Sequence, residues 1–369
     1  MNIFSSEMMQ QIFLNHYLLF AGLLFLGAFI INYLIIPKVI WVIHAKELAT
    51  PVISRSAHKF PVPSFAGVAF FITLVIVLSL VQSILSHFVG NNLIAGLTVL
   101  FMVGLKDDLV ISTAKAKIIG QLISIAFILF LPELQITSLH GFLNIYDIPV
   151  YLGLPIAFFL MLSIINAYNL IDGIDGLAGI IGIIICIAYS IIFFFTKRDF
   201  SFLVSISIVA ILIAFLRYNL SAGTNKIFMG DSGSLIIGYL IGFLTLRFLT
   251  IDSVIIPDYQ FNPENRIAFI IAILCIPIFD TSRITISRLL KKQSPFIADR
   301  NHVHHILIDF GFSHIKASAI LGILNISIIV VFLFLEKHFS GFAILFIMFI
   351  LFMVVAYFFF VLKRRIVRI

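Results

Sequence analysis

The stretch YLGLPIAFFLMLSIINAYNLIDGIDGLAGIIGIIICIAYSIIFFF, residues 151–195, holds two long apolar runs joined by a short polar segment rich in Asn, Asp and Gly. Each run comes close to the roughly 20 apolar residues that a helix needs to cross a bilayer core. The polar segment, NAYNLIDGIDGLAG from Asn166 to Gly179, carries Asp172 and Asp175 three residues apart, next to Asn166 and Asn169. Carboxylates at the end of a membrane helix are expensive to desolvate, so their presence points to a function. The glycines at 173, 176 and 179 permit sharp turns or close approach of backbone to a ligand. A solvated helix cap is the plainer alternative for a single Asp, but it does not account for two Asp, two Asn and three Gly together.

Working outward, the same alternation fills the chain. Of 369 residues, 62% are hydrophobic and 11% charged, against roughly 45–50% apolar and about 25% charged in soluble domains. A water-soluble globule is excluded, because it would lack the polar surface to meet solvent. Forty-one Phe and one Trp suit lipid-facing helices. The expected fold is all-α and integral to a membrane, one polytopic domain over residues 1–369. Its eleven spans are at 17–43, 62–84, 89–105, 117–132, 151–168, 176–195, 201–217, 232–249, 267–287, 316–335 and 341–362. The first run is too long for a signal-peptide core and reads as a retained span. Cys186 and Cys275 both lie in apolar stretches and read as packing residues, with no metal-type spacing.

Eleven spans put the termini on opposite faces. With the N-terminus outside, 19 of the 24 Lys and Arg fall on the inner face, in keeping with the positive-inside rule. The net charge of +7 then reflects topology, and no nucleic-acid partner is expected. The loops at 44–61, 104–116, 169–175, 218–231 and 288–315 share that inner, cytoplasmic face and carry nearly every unusual polar cluster.

In GLKDDLVISTAKAK, residues 104–117, the adjacent Asp107 and Asp108 repel each other unless a cation intervenes. Mg²⁺ takes such oxygen ligands, one or two carboxylates together with substrate phosphates, and Lys115 and Lys117 stand ready for phosphate charge; an Asp-rich turn in a basic loop is the bland alternative. In IFMGDSGSLIIG, residues 227–238, Asp231 lies between glycines at a helix start, where backbone N–H groups can receive phosphate; it reads as a metal ligand or as a plain N-cap, with Lys226 adding positive potential. In SPFIADRNHVHHILIDFG, residues 294–311, His302, His304 and His305 stand beside Arg300, favouring phosphate and sugar contacts over zinc, whose sites show other His spacings. Arg55 and His58 sit in a basic loop, residues 50–68, that owes its interest to its face.

These motifs, with PIFDTSRI, residues 277–284, follow one another in an order that resembles the polyprenyl-phosphate N-acetylhexosamine-1-phosphate transferases. These are members of glycosyltransferase family 4, of the type that starts O-antigen and teichoic-acid synthesis. The likeness runs from about residue 50 to 314. It implies a Mg²⁺-dependent transfer, with Mn²⁺ a substitute, of a sugar-1-phosphate from a UDP-N-acetylhexosamine to polyprenyl phosphate in the plasma membrane. The products would be polyprenyl-diphosphate-sugar and UMP, the first membrane step of a cell-surface polysaccharide. By matching position, Asp231 looks like the principal metal ligand, and Asp107 and Asp108 like the pair that orients or deprotonates the lipid phosphate and assists the metal. Asn169 and Asp172 resemble nucleotide-binding or metal-neighbouring positions, and the three histidines resemble a motif near the sugar diphosphate. The spacer HVHH leans toward a simple N-acetylhexosamine donor, and a homodimer is admissible. The first loop departs from the family pattern at Thr50, Ser56 and Ala66. Two other classes share some features: membrane aromatic prenyltransferases use Asp-rich motifs but space them differently, and secondary transporters place charges near mid-membrane within inverted repeats.

Overall fold

The computed structural model describes residues 16–48, 62–85, 88–110, 112–251, 261–293 and 301–367. It is helical throughout these residues, with helices α1 (Tyr17–Ala45), α2 (Ala66–Leu85), α3 (Val89–Leu109), α4 (Ala114–Leu129), α5 (Val150–Leu170), α6 (Leu177–Phe195) and α7 (Asp199–Asn219). There follow α8 (Gly230–Leu249), α9 (Arg266–Ile273), α10 (Cys275–Leu290), α11 (Val303–Asp309), α12 (His314–Leu335) and α13 (Gly341–Val367). Arg55, His58 and Arg300, and the divergent Thr50 and Ser56, lie outside the described residues.

Nine described helices are long and apolar enough to cross a membrane, ten if α9 and α10 count as one bent span. The remaining expected span, 117–132, corresponds to α4, which has 16 residues and so extends only about 24 Å. The outside of the bundle is apolar: Leu18, Leu23, Leu26 and Leu34 on α1 and Phe342, Phe346 and Phe349 on α13 are all exposed. In water such a surface would aggregate; against lipid it costs nothing.

The core is organised on α8. Nearly all of its length is buried, and α2, α3, α5 and α6 pack around it. Small residues set these approaches, as expected where close packing replaces a hydrophobic drive. Buried hydroxyls are satisfied locally, Thr245 by the Ile241 carbonyl at 2.8 Å and by Tyr189 at 2.7 Å, while the Tyr239 hydroxyl donates to the Ser124 carbonyl at 3.0 Å.

The bend of 73° between α9 and α10 has a chemical cause. Pro277 has no N–H to give, and its ring crowds the carbonyl four residues back, at Ile273. Asn325 on α12 takes over both freed groups: its amide donates to the Ile273 carbonyl at 3.2 Å and accepts the Ile276 N–H at 3.3 Å. Broken helices persist at membrane depth only where a neighbour satisfies their backbone. The bend turns α10 and its Asp280 toward the end of the bundle where the polar motifs gather.

Candidate active site

Three helix ends meet at the site. A Cβ added at Gly104 on α3 would stand 2.6 Å from the Ser232 nitrogen and 2.8 Å from the Asp231 carbonyl carbon, and one at Gly67 on α2 would stand 2.5 Å from the Ser232 carbonyl carbon. Only hydrogen fits at either position, so α2 and α3 touch the backbone of the first turn of α8. Gly230 turns the chain into that helix with φ +72°, a left-handed conformation that favours glycine. The segment before it is pinned by the Phe228 N–H donating to the Pro63 carbonyl (2.8 Å) and the Ala66 N–H to the Phe228 carbonyl (3.2 Å).

This contact brings the Asp108 carboxylate onto the first turn of α8. The carboxylate accepts the Asp231 N–H at 2.7 Å, the Ser232 N–H at 3.0 Å and the Ser232 hydroxyl at 2.6 Å. It therefore caps α8 from another helix, satisfying donors left over at a helix start. The sequence suggested these N–H groups as a phosphate seat; they are occupied by Asp108 instead. Asp231 is not the cap either, since its own side chain is turned outward to other partners.

Asp231 Oδ1 accepts from the Asn169 amide at 2.5 Å and pairs with Lys117 Nζ at 2.9 Å. Lys117 also lies 3.7 Å from Asp107 Oδ2 and donates to Asn169 Oδ1 at 3.2 Å. Asp107 is steadied by the Ser112 N–H at 2.6 Å and stands within hydrogen-bonding reach of Asp231. Two carboxylates brought together this closely need a positive charge between them, and the Lys117 ammonium lies among their oxygens. No group of three or more His, Cys, Asp or Glu among the described residues converges as a metal cage. The donor set is nonetheless the oxygen-only, two-carboxylate kind that suits Mg²⁺, which completes its shell with water and substrate phosphate.

Beside this group opens a cavity of about 280 Å³, lined by Ser64, Asn169, Asp172, Asp175, Asp231 and His314 among others. Asp172 lies on the loop between α5 and α6. Enclosure by protein, reinforced by the neighbouring Asp231 and Asp108, pushes its carboxyl up to about 8. Asp175, three residues on, behaves oppositely. Burial alone would raise it, but hydrogen bonds from His314 (3.1 Å) and Lys226 (2.6 Å) outweigh that and hold it below the usual carboxylate range. Asn219 fixes the loop by accepting the Gly176 N–H at 2.7 Å and donating to the Ile227 carbonyl at 2.9 Å.

The histidines approach from α11. His302 stands at the start of that short helix and reaches Asp280 Oδ2 through Nδ1 at 2.8 Å, while Asp280 Oδ1 accepts the Val303 N–H at 3.0 Å and Arg283 at 3.1 Å. His302 and His304 lie near parallel with ring centres 5.4 Å apart, and His304 and His305 are 4.3 Å apart. His304 is buried against the loop: a Cβ at Gly173 would collide with its Nε2 and stand 2.9 Å from Cε1. Burial, with His305 close by, lowers His304 to about 3, so it is neutral at physiological pH.

The structure thus brings Asp107, Asp231, Asn169 and Lys117 into direct contact, sets Asp108 and Asp172 beside them, and joins the histidines to the cavity through Gly173. Lys115 stays exposed on the first turn of α4, with no ion pair among the described residues. Asn166 exchanges hydrogen bonds with Gln121 (3.0 and 3.3 Å), clasping α5 to α4 one turn below the cavity. Sequence reasoning assigned no role to Asp280 or His314. The signal for Asp280 was a lone carboxylate within an otherwise apolar run; His314 was marked only by its place in the 288–315 loop.

Residues 90–249, which include Asp107, Lys117, Asn169, Asp172 and Asp231, match the family described as Glycosyl transferase family 4. A probable undecaprenyl-phosphate N-acetylglucosaminyl 1-phosphate transferase of Bacillus subtilis is 29% identical over 71% of this chain and 70% of its own length. The undecaprenyl-phosphate alpha-N-acetylglucosaminyl 1-phosphate transferases of Salmonella typhi and of Escherichia coli K12 are each 26% identical over 72% of this chain and 71% of theirs. The matched segment is the one that builds the carboxylate site, and over it the chain is similar to glycosyl transferase family 4.

Proposed function

We propose that the chain transfers N-acetylglucosamine-1-phosphate from UDP-N-acetylglucosamine to undecaprenyl phosphate, yielding undecaprenyl-diphosphate-N-acetylglucosamine and UMP. A phosphate oxygen of the acceptor forms a new bond to the sugar-bearing phosphorus, and the bond from that phosphorus to the oxygen of UMP breaks. The observation that carries this reading is the contact of Asp231, Asp107, Asn169 and Lys117 at the rim of a cavity, in a chain whose relatives are named for this transfer.

Phosphoryl transfer asks a protein mainly to position groups and neutralise charge. Lys117 meets the negative charge of the reacting phosphates, and Asp107 orients the acceptor phosphate. Asn169 holds the Asp231 carboxylate in place. Asp108 fixes the first turn of α8 and hence the direction of Asp231. His304, neutral and held against Gly173, presents an uncharged hydrogen-bonding ring toward the sugar diphosphate side of the loop. A Mg²⁺ ion, replaceable by Mn²⁺, would be held by Asp231 and Asp107 and would stabilise the charge of the donor pyrophosphate and the departing UMP.

In this reading the chain is a multi-pass protein of the plasma membrane with eleven spans, α4 the shortest and α9–α10 counted as one. Its N-terminus is outside and its site is cytoplasmic, so the acceptor stays in the bilayer while its phosphate reaches the rim. The test is UMP release by detergent-purified protein given Mg²⁺, UDP-N-acetylglucosamine and undecaprenyl phosphate. Asp231→Ala should abolish release; an undiminished yield refutes the role of Asp231. A reporter fused at Asn301 that scores as periplasmic refutes the cytoplasmic site.

A further inference from the structure

Two side-chain amides face each other just below the carboxylate site. Gln121 on α4 is fully buried, and its side chain exchanges two hydrogen bonds with Asn166 on α5. Gln121 Nε2 donates to Asn166 Oδ1 at 3.3 Å, and Asn166 Nδ2 donates to Gln121 Oε1 at 3.0 Å. Asn166 Nδ2 also donates to the Leu162 carbonyl at 2.8 Å, one turn back on its own helix, which fixes the orientation of the amide. Among the described residues that line the reaction cavity, neither amide appears.

The site lies one helical turn further on. Lys117 precedes Gln121 by four residues on α4, and Asn169 follows Asn166 by three on α5, so each pair shares a helix face. Because α4 starts and α5 ends at this end of the bundle, the bond of Lys117 Nζ to Asn169 Oδ1, 3.2 Å, forms a second rung above the amide pair. Among the described residues α4 and α5 exchange no other hydrogen bond. On the far side of the amides the two helices line an apolar cavity of about 650 Å³, with Leu122 from α4 and Leu154 and Phe158 from α5. Apolar side chains facing such a space do not set the height of one helix on the other, because sliding breaks no directed contact. The amide pair does set it, since any slip would leave the fully buried Gln121 amide unpaired.

We infer that Gln121 and Asn166 are positioning residues: their amide pair fixes the register of α4 on α5 and so delivers the Lys117 ammonium to Asp231 and Asp107, 2.9 and 3.7 Å away. The effect on rate rests on the proposed transfer; the placement of Lys117 is readable without turnover. Removing one amide alone would leave the other unpaired between the helices, so the informative variant removes both. Gln121→Leu/Asn166→Leu puts apolar side chains of similar size in place of the pair, leaves neither amide stranded and so costs little stability.

The experiment uses the full chain in nanodiscs, pulsed briefly with acetic anhydride, with the acetylated lysines located by mass spectrometry. Lys117, ion-paired and with its side chain 19% exposed, should react slowly in the parent and severalfold faster in the double Leu variant. Lys115, exposed two residues earlier, is the internal reference and should not change. The kcat for UMP release should fall about tenfold, less than for a rigidly misplaced group because the lysine stem is flexible, while the melting temperature stays near that of the parent. Should the double Leu variant not fold, Gln121→Asn alone, one methylene too short, should expose Lys117 and slow turnover. The exchange Gln121→Asn/Asn166→Gln keeps both amides and their summed length, and should bring both readouts back toward the parent. Unchanged Lys117 reactivity in the double Leu variant overturns the inference whether or not kcat falls, and so does an exchange variant as impaired as Gln121→Asn alone. A parent that releases no UMP, yet loses its Lys117 protection along with the amide pair, refutes the proposed transfer and leaves the placement of Lys117 standing.

Discussion

Gly104→Ala is the most incisive single test of how the site is built. The added Cβ would stand 2.6 Å from the Ser232 nitrogen, short by about 0.8 Å of the 3.4 Å at which ordinary contact begins. The opposing atoms are backbone, so no rotamer change relieves the clash, and α3 must back away from α8. Asp107 and Asp108 lie three and four residues further along α3 and move with it. That shift lengthens the bonds of Asp108 to the Asp231 and Ser232 N–H groups, now 2.7 and 3.0 Å, and separates Asp107 from Asp231. Overpacking of this kind costs about 1–3 kcal/mol, offset in part by about 0.5–1 kcal/mol from the better helix propensity of Ala. A misplacement near 1 Å lowers a positioned reaction on the order of a hundredfold. Turnover should thus fall far more than stability. Gly22→Ala on α1, where nothing lies within 4 Å of the added carbon, is the control and should change neither. The assays are initial rates of UMP release and thermal unfolding of the same preparations. A Gly104→Ala protein turning over at the parent rate would show that the α3–α8 contact does not position the carboxylates.

Other expectations follow from the same geometry. Lys117→Gln removes a charge that competes with any cation for Asp231, so half-saturation by Mg²⁺ should move to lower concentration while turnover falls; calorimetric titration showing weaker Mg²⁺ binding contradicts this. Asp172, near 8 in the folded chain against about 3.9 when unfolded, holds its proton more tightly when folded. Stability without divalent cations should therefore decline as pH rises from about 4 to about 8, and Asp172→Asn should flatten that slope in melting curves. His304, lowered to about 3, works in the opposite sense, subtracting stability as pH falls below about 6.5, so His304→Gln should blunt acid sensitivity; an unchanged acid limb counts against its burial. Asn325→Leu leaves the Ile273 carbonyl and Ile276 N–H unpaired at the bend, which costs about 1–3 kcal/mol per group and should lower the melting temperature; an unaltered melt means that the bend is held otherwise.

The spans were legible because a bilayer imposes a length and a polarity that composition reports directly. Where the sequence grouped residues, the structure gives two members of one motif different partners. Asp107 and Asp108 are neighbours in the chain, yet successive helical side chains point about 100° apart. One therefore joins Asp231 and Lys117 while the other turns to cap α8. A pattern of two carboxylates cannot reveal that, because the deciding fact is which helix lies against which face, and the close approach at Gly104 and Gly67 is a property of pairs of helices. Asn166 entered the candidate set as part of the polar run around Asp172 and Asp175, yet its amide meets Gln121 on another helix. The break at Pro277 was equally invisible as a bend: an apolar run of the right length reads as one straight span until the angle at Leu274 is known.

The division of labour between Asp108 and Asp231 also explains why so polar a site tolerates the end of a membrane bundle. An exposed helix start presents unpaired N–H groups with partial positive charge, and α8 is too deeply buried for water to satisfy them. Asp108 supplies that partner from α3, which frees Asp231 from the capping role its position invites and leaves its carboxylate directed at Lys117 and Asn169. Replacing Asp108 by Asn keeps the shape and two of the acceptor contacts but removes the charge facing the helix start. It should weaken the seating of α8 and lower turnover through orientation, with substrate binding less affected than the rate. Replacing Asp231 removes the carboxylate that would hold the metal ion. If Asp108→Asn and Asp231→Asn proved identical in rate, in affinity for the donor and in Mg²⁺ dependence, the two carboxylates would share one role and the separation drawn from their contacts would fail.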